Sequence, residues 1–164
     1  MAHLLAVPLV FLAFAQATRN TPDVLPVSVV LAKRVDLDGK PVFVKGTLHA
    51  TMESVSLHGA GCKEEMNASG KPWPCAAEVY VFKEIHHPAS QRLQSILGRM
   101  KRSPGARGPE IVVRGTLRAA PRVKKTASAP GSEVGWGHLN AYAVRLETEE
   151  LFECTPAGTC DLTR

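Results

Sequence analysis

The residues of this 164-residue chain whose types and spacing suit ligand chemistry are few. Gly135-Trp136-Gly137-His138 follows a stretch carrying Arg122, Lys124 and Lys125, and an aromatic pair, Tyr80 and Phe82, ends an apolar run. Aromatic faces offer stacking platforms, and guanidinium and ammonium groups attract anions. Tyr80, Phe82, Arg122, Lys124, Lys125, Trp136 and His138 therefore form a candidate surface for a polyanion or a sugar polymer. With nine aromatic side chains in all, some needed for a core, such a platform must be small. His138 can equally fix the entry to a strand by hydrogen bonds.

Other chemistry is weaker. His49 and His58 fall on successive apolar-alternating runs and can approach one another, with His138 as a third partner. No carboxylate or cysteine stands at ligand spacing beside them, so no metal and no cofactor is assigned. Catalysis by an activated nucleophile needs a base and an orienting acid, and no Gly-x-Ser-x-Gly elbow occurs. Asp36 and Asp38 suit calcium or acid/base work but also a plain turn, and most other carboxylates lie in the C-terminal tail. The reading is a protein without catalytic residues.

Residues Met1 to Ala17 carry no charged side chain, run apolar from Leu4 to Ala15, and end in Ala15-Gln16-Ala17, a small-x-small cleavage signature. They read as a secretory signal cut after Ala17. A membrane anchor is the alternative, but the run is shorter than the ~20 residues a spanning helix needs. No second apolar span follows, so no membrane segment is expected after cleavage, and the location is periplasmic or secreted.

Four cysteines in an exported chain imply disulfides. Proximity pairs Cys62 with Cys75 and Cys154 with Cys160; zinc is the alternative, although neither pair has knuckle spacing.

The net charge of +5 is unevenly spread. Between Arg92 and Lys125 ten basic residues face Glu110 alone, whereas from Arg145 to Arg164 five acidic residues face two arginines. Such an asymmetry can steer a polyanion or be a solvated surface.

The elements that must position these groups follow from periodicity. Val42, Val44, Gly46 and Leu48 alternate with Phe43, Lys45, Thr47 and His49, a strand from about Pro41 to Thr51. Its core, Val44-Lys45-Gly46-Thr47-Leu48-His49-Ala50, returns as Val113-Arg114-Gly115-Thr116-Leu117-Arg118-Ala119 within a strand from Glu110 to Ala119. A glycine inside a strand marks a bend or the close approach of another backbone. Further strands are expected at Ser54 to His58, Ala76 to Phe82 and Leu139 to Glu147. Leu93, Ile96, Leu97 and Met100 form one helical stripe over Pro88 to Arg102, and Ser28 is a candidate cap for a short helix near Val30.

Three strands, a helix and two strands make a mainly β chain: a five-stranded Greek-key barrel of the oligonucleotide/oligosaccharide-binding (OB) type. Its helix lies between strands three and four, and a short N-terminal helix precedes it. In that topology the two glycine-centred strands are neighbours. A sandwich is the rival, and the helix position counts against it. The expected division is a signal at 1–17, a lead-in at 18–40, a barrel at 41–148 and a disulfide-stapled tail at 149–164.

Leu37-x-Gly39-Lys40-x-Val42-x-Val44-x-Gly46, Val112-Val113-x-Gly115 and Gly135-Trp136-Gly137-His138-Leu139-Asn140-Ala141-Tyr142 together resemble a group of small, exported, functionally uncharacterised bacterial proteins. The resemblance runs from about Val27 to Glu147 and implies a single barrel, with no activity or ligand attached. The expectation is thus a non-catalytic module binding a cell-envelope polyanion or glycan. A protein-interaction or inhibitor module in the periplasm is the alternative, and an envelope hydrolase the third. A nucleic acid suits this compartment less well.

Overall fold

Prolines at 22 and 26 keep the lead-in extended, and Val24–Pro26 forms a short strand, β1. The computed structural model describes residues 22–63, 65, 72–81, 87–102, 108–120, 136 and 141–163. The expected signal at 1–17, Phe82, Arg122, Lys124, Lys125 and His138 lie outside the described residues.

Helix α1, Val27–Ala32, starts two residues earlier than a Ser28 cap requires, and no side chain caps it. Pro26 takes the N-cap place because its φ of −69° and ψ of 154° already have the extended shape an N-cap needs. A single turn, α2 (Arg34–Leu37), follows, and Gly39 at φ 72° supplies the left-handed residue of the turn into β2.

Strand β2 is Pro41–Ala50, β3 is Val55–His58 and β4 is Ala76–Tyr80. Helix α3, Pro88–Lys101, begins on Pro88 with the His87 ring accepting from the Ala89 N–H. Strand β5 is Glu110–Ala119 and β6 is Val144–Glu153.

The barrel closes in the order β2-β3-β4-β6-β5 and back to β2, with β4 and β6 parallel and the other neighbours antiparallel. This is the OB-type barrel. Its two glycine-centred strands lie side by side, Val42 opposite Gly115 and Gly46 opposite Ile111. Strand β1 runs parallel to β2 beside Phe43 to Lys45, a stretch that β3 is too short to reach.

Inward residues Val42, Val44, Leu48, Ile111, Val113, Leu117, Val144 and Leu146 share one core with Val27 and Val30 of α1 and Ala89, Leu93 and Ile96 of α3. The apolar stripe of α3 is therefore core, and the lead-in helix belongs to the same core as the barrel.

The last strand differs from the Leu139 to Glu147 expectation. It begins at Val144 and continues through the acidic residues to Glu153. Gly115 pairs with Thr148 and Arg114 with Glu150, so Glu149 is an extra residue, a bulge. Buried positions run 144, 146, 148 and then 151. The change of phase breaks the alternation that a sequence reading follows.

That register also bears on the charge asymmetry. Arg118 pairs with Glu147 at 2.9 Å, Arg114 with Glu150 at 3.1 Å and Glu149 at 3.4 Å, and Arg99 of α3 with Glu153. Three of the ten basic residues, Arg99, Arg114 and Arg118, are thus paired with four of the five acidic residues of the tail. Cys62 is bonded to Cys75 and Cys154 to Cys160.

Candidate functional site

Strand β4 alternates Ala77 and Val79 into the core with Glu78 and Tyr80 outward. Parallel pairing sets Arg145 of β6 opposite Glu78. Its Nε donates to Glu78 Oε2 at 2.6 Å. Both side chains are well covered, 22% and 11% exposed, so removing one partner costs more than breaking a solvated surface bridge.

The Arg145 guanidinium carbon lies 4.4 Å from the ring centre of Tyr80 and 4.4 Å from that of Trp136. A cation at this distance from two π faces is attracted to both. Trp136 is held there by a two-way bridge to Tyr142, with N–H to carbonyl distances of 2.9 and 3.0 Å. Its Nε1–H is buried and has no hydrogen-bond partner among the described residues.

Tyr142 extends the face. Its hydroxyl is 3.1 Å from Ser54 Oγ, at the end of the turn between β2 and β3. Thr51 Oγ1 accepts from the N–H groups of Glu53 and Ser54 and rigidifies that turn. Met52 at its tip is fully exposed, at 105%. The outer face of β4, the Trp136 segment and the 51–54 turn are the places where barrels of this type take ligands.

Of the sequence-predicted residues, the structure therefore brings Tyr80 and Trp136 together through Arg145. Phe82, Arg122, Lys124, Lys125 and His138 lie outside the described residues. Arg145 and Glu78 were missed by sequence reasoning. A lone glutamate in the apolar run Ala76-Ala77-Glu78-Val79-Tyr80 was a usable signal, because a charge in such a strand needs a partner when it is covered.

A second cluster stands at the C-terminal end of β2, beside the 51–54 turn. The rings of His49 and His58 stack with centres 4.0 Å apart and planes 28° from parallel. His58 Nε2 is 3.1 Å from Ser56 Oγ. Burial first, and then the charge of His49, pushes the His58 imidazole below its ordinary value of 6.5. The two histidines border an open cleft of about 550 Å³ with Lys45, Thr47 and Glu110. Lys45 is paired with Glu110 at 3.0 Å and donates to the Gly158 carbonyl at 2.9 Å. Ser56 is buried at 3% exposure, a poor place for a nucleophile.

A second cleft, of about 420 Å³, lies between α1 and Gly61, Cys62, Lys63, Trp73 and Pro74. Arg34 crosses it to Glu65 at 2.6 Å and donates to the Leu31 carbonyl. Among the described residues no helix is long and apolar enough to cross a membrane.

No protein-family model matches the chain, and comparison with curated proteins finds no match. Among solved structures, the chain is similar to an aspartyl-tRNA synthetase from Leishmania major Friedlin, with 11% identity and a TM-score of 0.43. The likeness covers 97% of this chain and 24% of that one, so the chain spans about a quarter of the synthetase's length. It is also similar to two OBody proteins described as bound to hen egg-white lysozyme, AM3L09 and AM2EP06, each at 15% identity. Their TM-scores are 0.35 and 0.34, covering 72% and 71% of this chain and 84% and 81% of theirs. The OB-type assignment rests on the strand order and pairing given above.

Proposed function

We propose that the protein is an exported, non-catalytic binding module that holds a cell-envelope glycan or polyanion on the outer face of β4. The single observation that carries this reading is Arg145 held against both Tyr80 and Trp136. A preorganised guanidinium beside aromatic rings combines hydrogen-bond donors with apolar surface, the mixture a sugar polymer with acidic groups requires. Pairing across β5 and β6 removes cations that a purely electrostatic polyanion site would use, so the glycan is the better of the two ligands. Export is supported by two disulfides and by the signal-like residues 1–17.

The test is co-sedimentation of the protein with insoluble peptidoglycan, alongside retention on immobilised lipopolysaccharide and heparin. Binding to at least one, weakened by Trp136→Ala and by Tyr80→Ala, is expected. Lys124→Glu with Lys125→Glu separates the ligands: it should reduce retention on heparin and flatten its salt dependence while sparing co-sedimentation with peptidoglycan. No retention on any of the three overturns the proposal.

Met52 favours one second reading, a protein-interaction or inhibitor module. A fully exposed methionine on a rigid turn at the rim of the same face is a suitable apolar anchor for a partner chain.

A further inference from the structure

We propose that His49 and His58 form a binding site for a divalent transition-metal ion of the class that prefers imidazole nitrogen, with Cu²⁺ held tightest. The site lies on β2 and β3, on the same outer surface as the face proposed for the glycan and next to it, since Ser56 stands opposite Glu78 in the register, but its test reads metal binding and is separate from that reading. In the antiparallel register Thr47 faces His58 and His49 faces Ser56, so the two histidines are diagonal neighbours on the outer surface. Their ring centres are 4.0 Å apart. Two cis nitrogens bound at about 2.0 Å to one ion stand roughly 2.8 Å from each other. Rotation of the two rings about their broad χ2 torsions spans that difference.

The surroundings favour a ligand role. Ser56 Oγ, 3.1 Å from His58 Nε2, can accept its N–H and leave the lone pair on Nδ1. An outer hydrogen bond of this kind fixes the tautomer and orientation of metal-bound histidines. The adjoining cleft has room for the ion and its waters, and the nearby ammonium of Lys45 is balanced by Glu110. Among the described residues no group of three or more histidines, cysteines or carboxylates is assembled. Water would therefore complete the coordination, which gives an open, exchangeable site. Two imidazoles with oxygen ligands suit Cu²⁺ over Ni²⁺ and Zn²⁺ in the order common to such donor sets.

The experiment is titration of chelator-treated protein with Cu²⁺, read by competition with a coloured chelator and by electron paramagnetic resonance. In a chain that retains the signal-like residues 1–17, His3→Ala is the common background, because that segment can itself chelate Cu²⁺. One ion per chain is expected, with hyperfine splitting from two nitrogens. His49→Ala and His58→Ala should each weaken binding by at least tenfold, and Ser56→Ala by about tenfold. His49 is exposed, so its variant keeps the fold and decides the matter even if His58→Ala does not fold. A single-nitrogen spectrum, unchanged affinity in His49→Ala, or no binding to the parent overturns the proposal.

Discussion

Gly115 lies directly beneath the backbone of Glu147: a Cβ at that position would stand 2.3 Å from the Glu147 carbonyl oxygen. Its counterpart Gly46 is pressed instead against the His58 carbonyl, at 2.9 Å, and against Val27. The two similar stretches thus need glycine for different neighbours, β6 in one case and β3 with α1 in the other. Gly115→Ala should destabilise the fold by about 1–3 kcal/mol, the usual cost of overpacking. Gly98→Ala, in α3 with open space around it, should stabilise by about 0.5–1 kcal/mol. Urea unfolding of both variants checks the contrast, and equal effects would contradict it.

Arg145 supports the ligand face as well as lining it. Arg145→Ala leaves Glu78 covered and without its ion pair, with an expected loss of about 2–3 kcal/mol. Arg145→Lys should recover part of this, since an ammonium keeps the charge but not the planar stacking surface. Combining Arg145→Ala with Glu78→Ala should cost less than the sum of the two changes. Tryptophan emission should shift in Arg145→Ala, reporting release of Trp136. Additive losses and an unchanged spectrum would dissociate Glu78 and Trp136 from Arg145.

The pairing across β5 and β6 predicts masked basic character. Glu149→Gln with Glu150→Gln should change stability by less than about 1 kcal/mol, because these are exposed pairs. The same variant should elute from heparin at higher salt than the parent, since Arg114 is then free to meet the polymer. Unchanged elution would mean that those carboxylates do not screen Arg114.

His58 gives the fold a pH dependence of definite sign. Because its folded value lies below the ordinary 6.5, the unfolded chain takes up this proton first as pH falls. Its contribution is intact above about pH 7.5 and is lost as pH drops from 6.5 through the lower folded value. Urea midpoints measured with chelator present at pH 7.5 and pH 5 should fall further in the parent than in His58→Gln. Equal falls would assign the acid sensitivity to other groups.

The two disulfides should differ in worth. Cys62 and Cys75 are 13 residues apart and Cys154 and Cys160 are 6 apart. In the chain-entropy account, removal should cost about 3 kcal/mol for the longer loop and about 2 kcal/mol for the shorter. Paired Cys→Ala variants measured by thermal unfolding test the order. A larger loss at Cys154 and Cys160 would show that the terminal hairpin contributes more through its contacts, such as Lys45 with Gly158, than through loop closure.

Local periodicity was sufficient wherever an element is regular. The alternation from Pro41 to Ala50 and from Glu110 to Ala119, the stripe on α3, and the close spacing of each cysteine pair could be read along the chain because each depends on near neighbours. Tyr80 and Trp136 were likewise visible, as aromatic residues in conspicuous settings. What only the tertiary structure decided depends on long-range register. The bulge at Glu149 shifts the phase of β6, and parallel pairing brings Glu78 to Arg145 across 67 residues. The same register pairs Arg114 and Arg118 of the basic stretch with Glu147, Glu149 and Glu150 of the acidic tail. Composition records which charges a chain has; which of them remain unsatisfied at the surface is set by the strands that closure of the barrel makes adjacent.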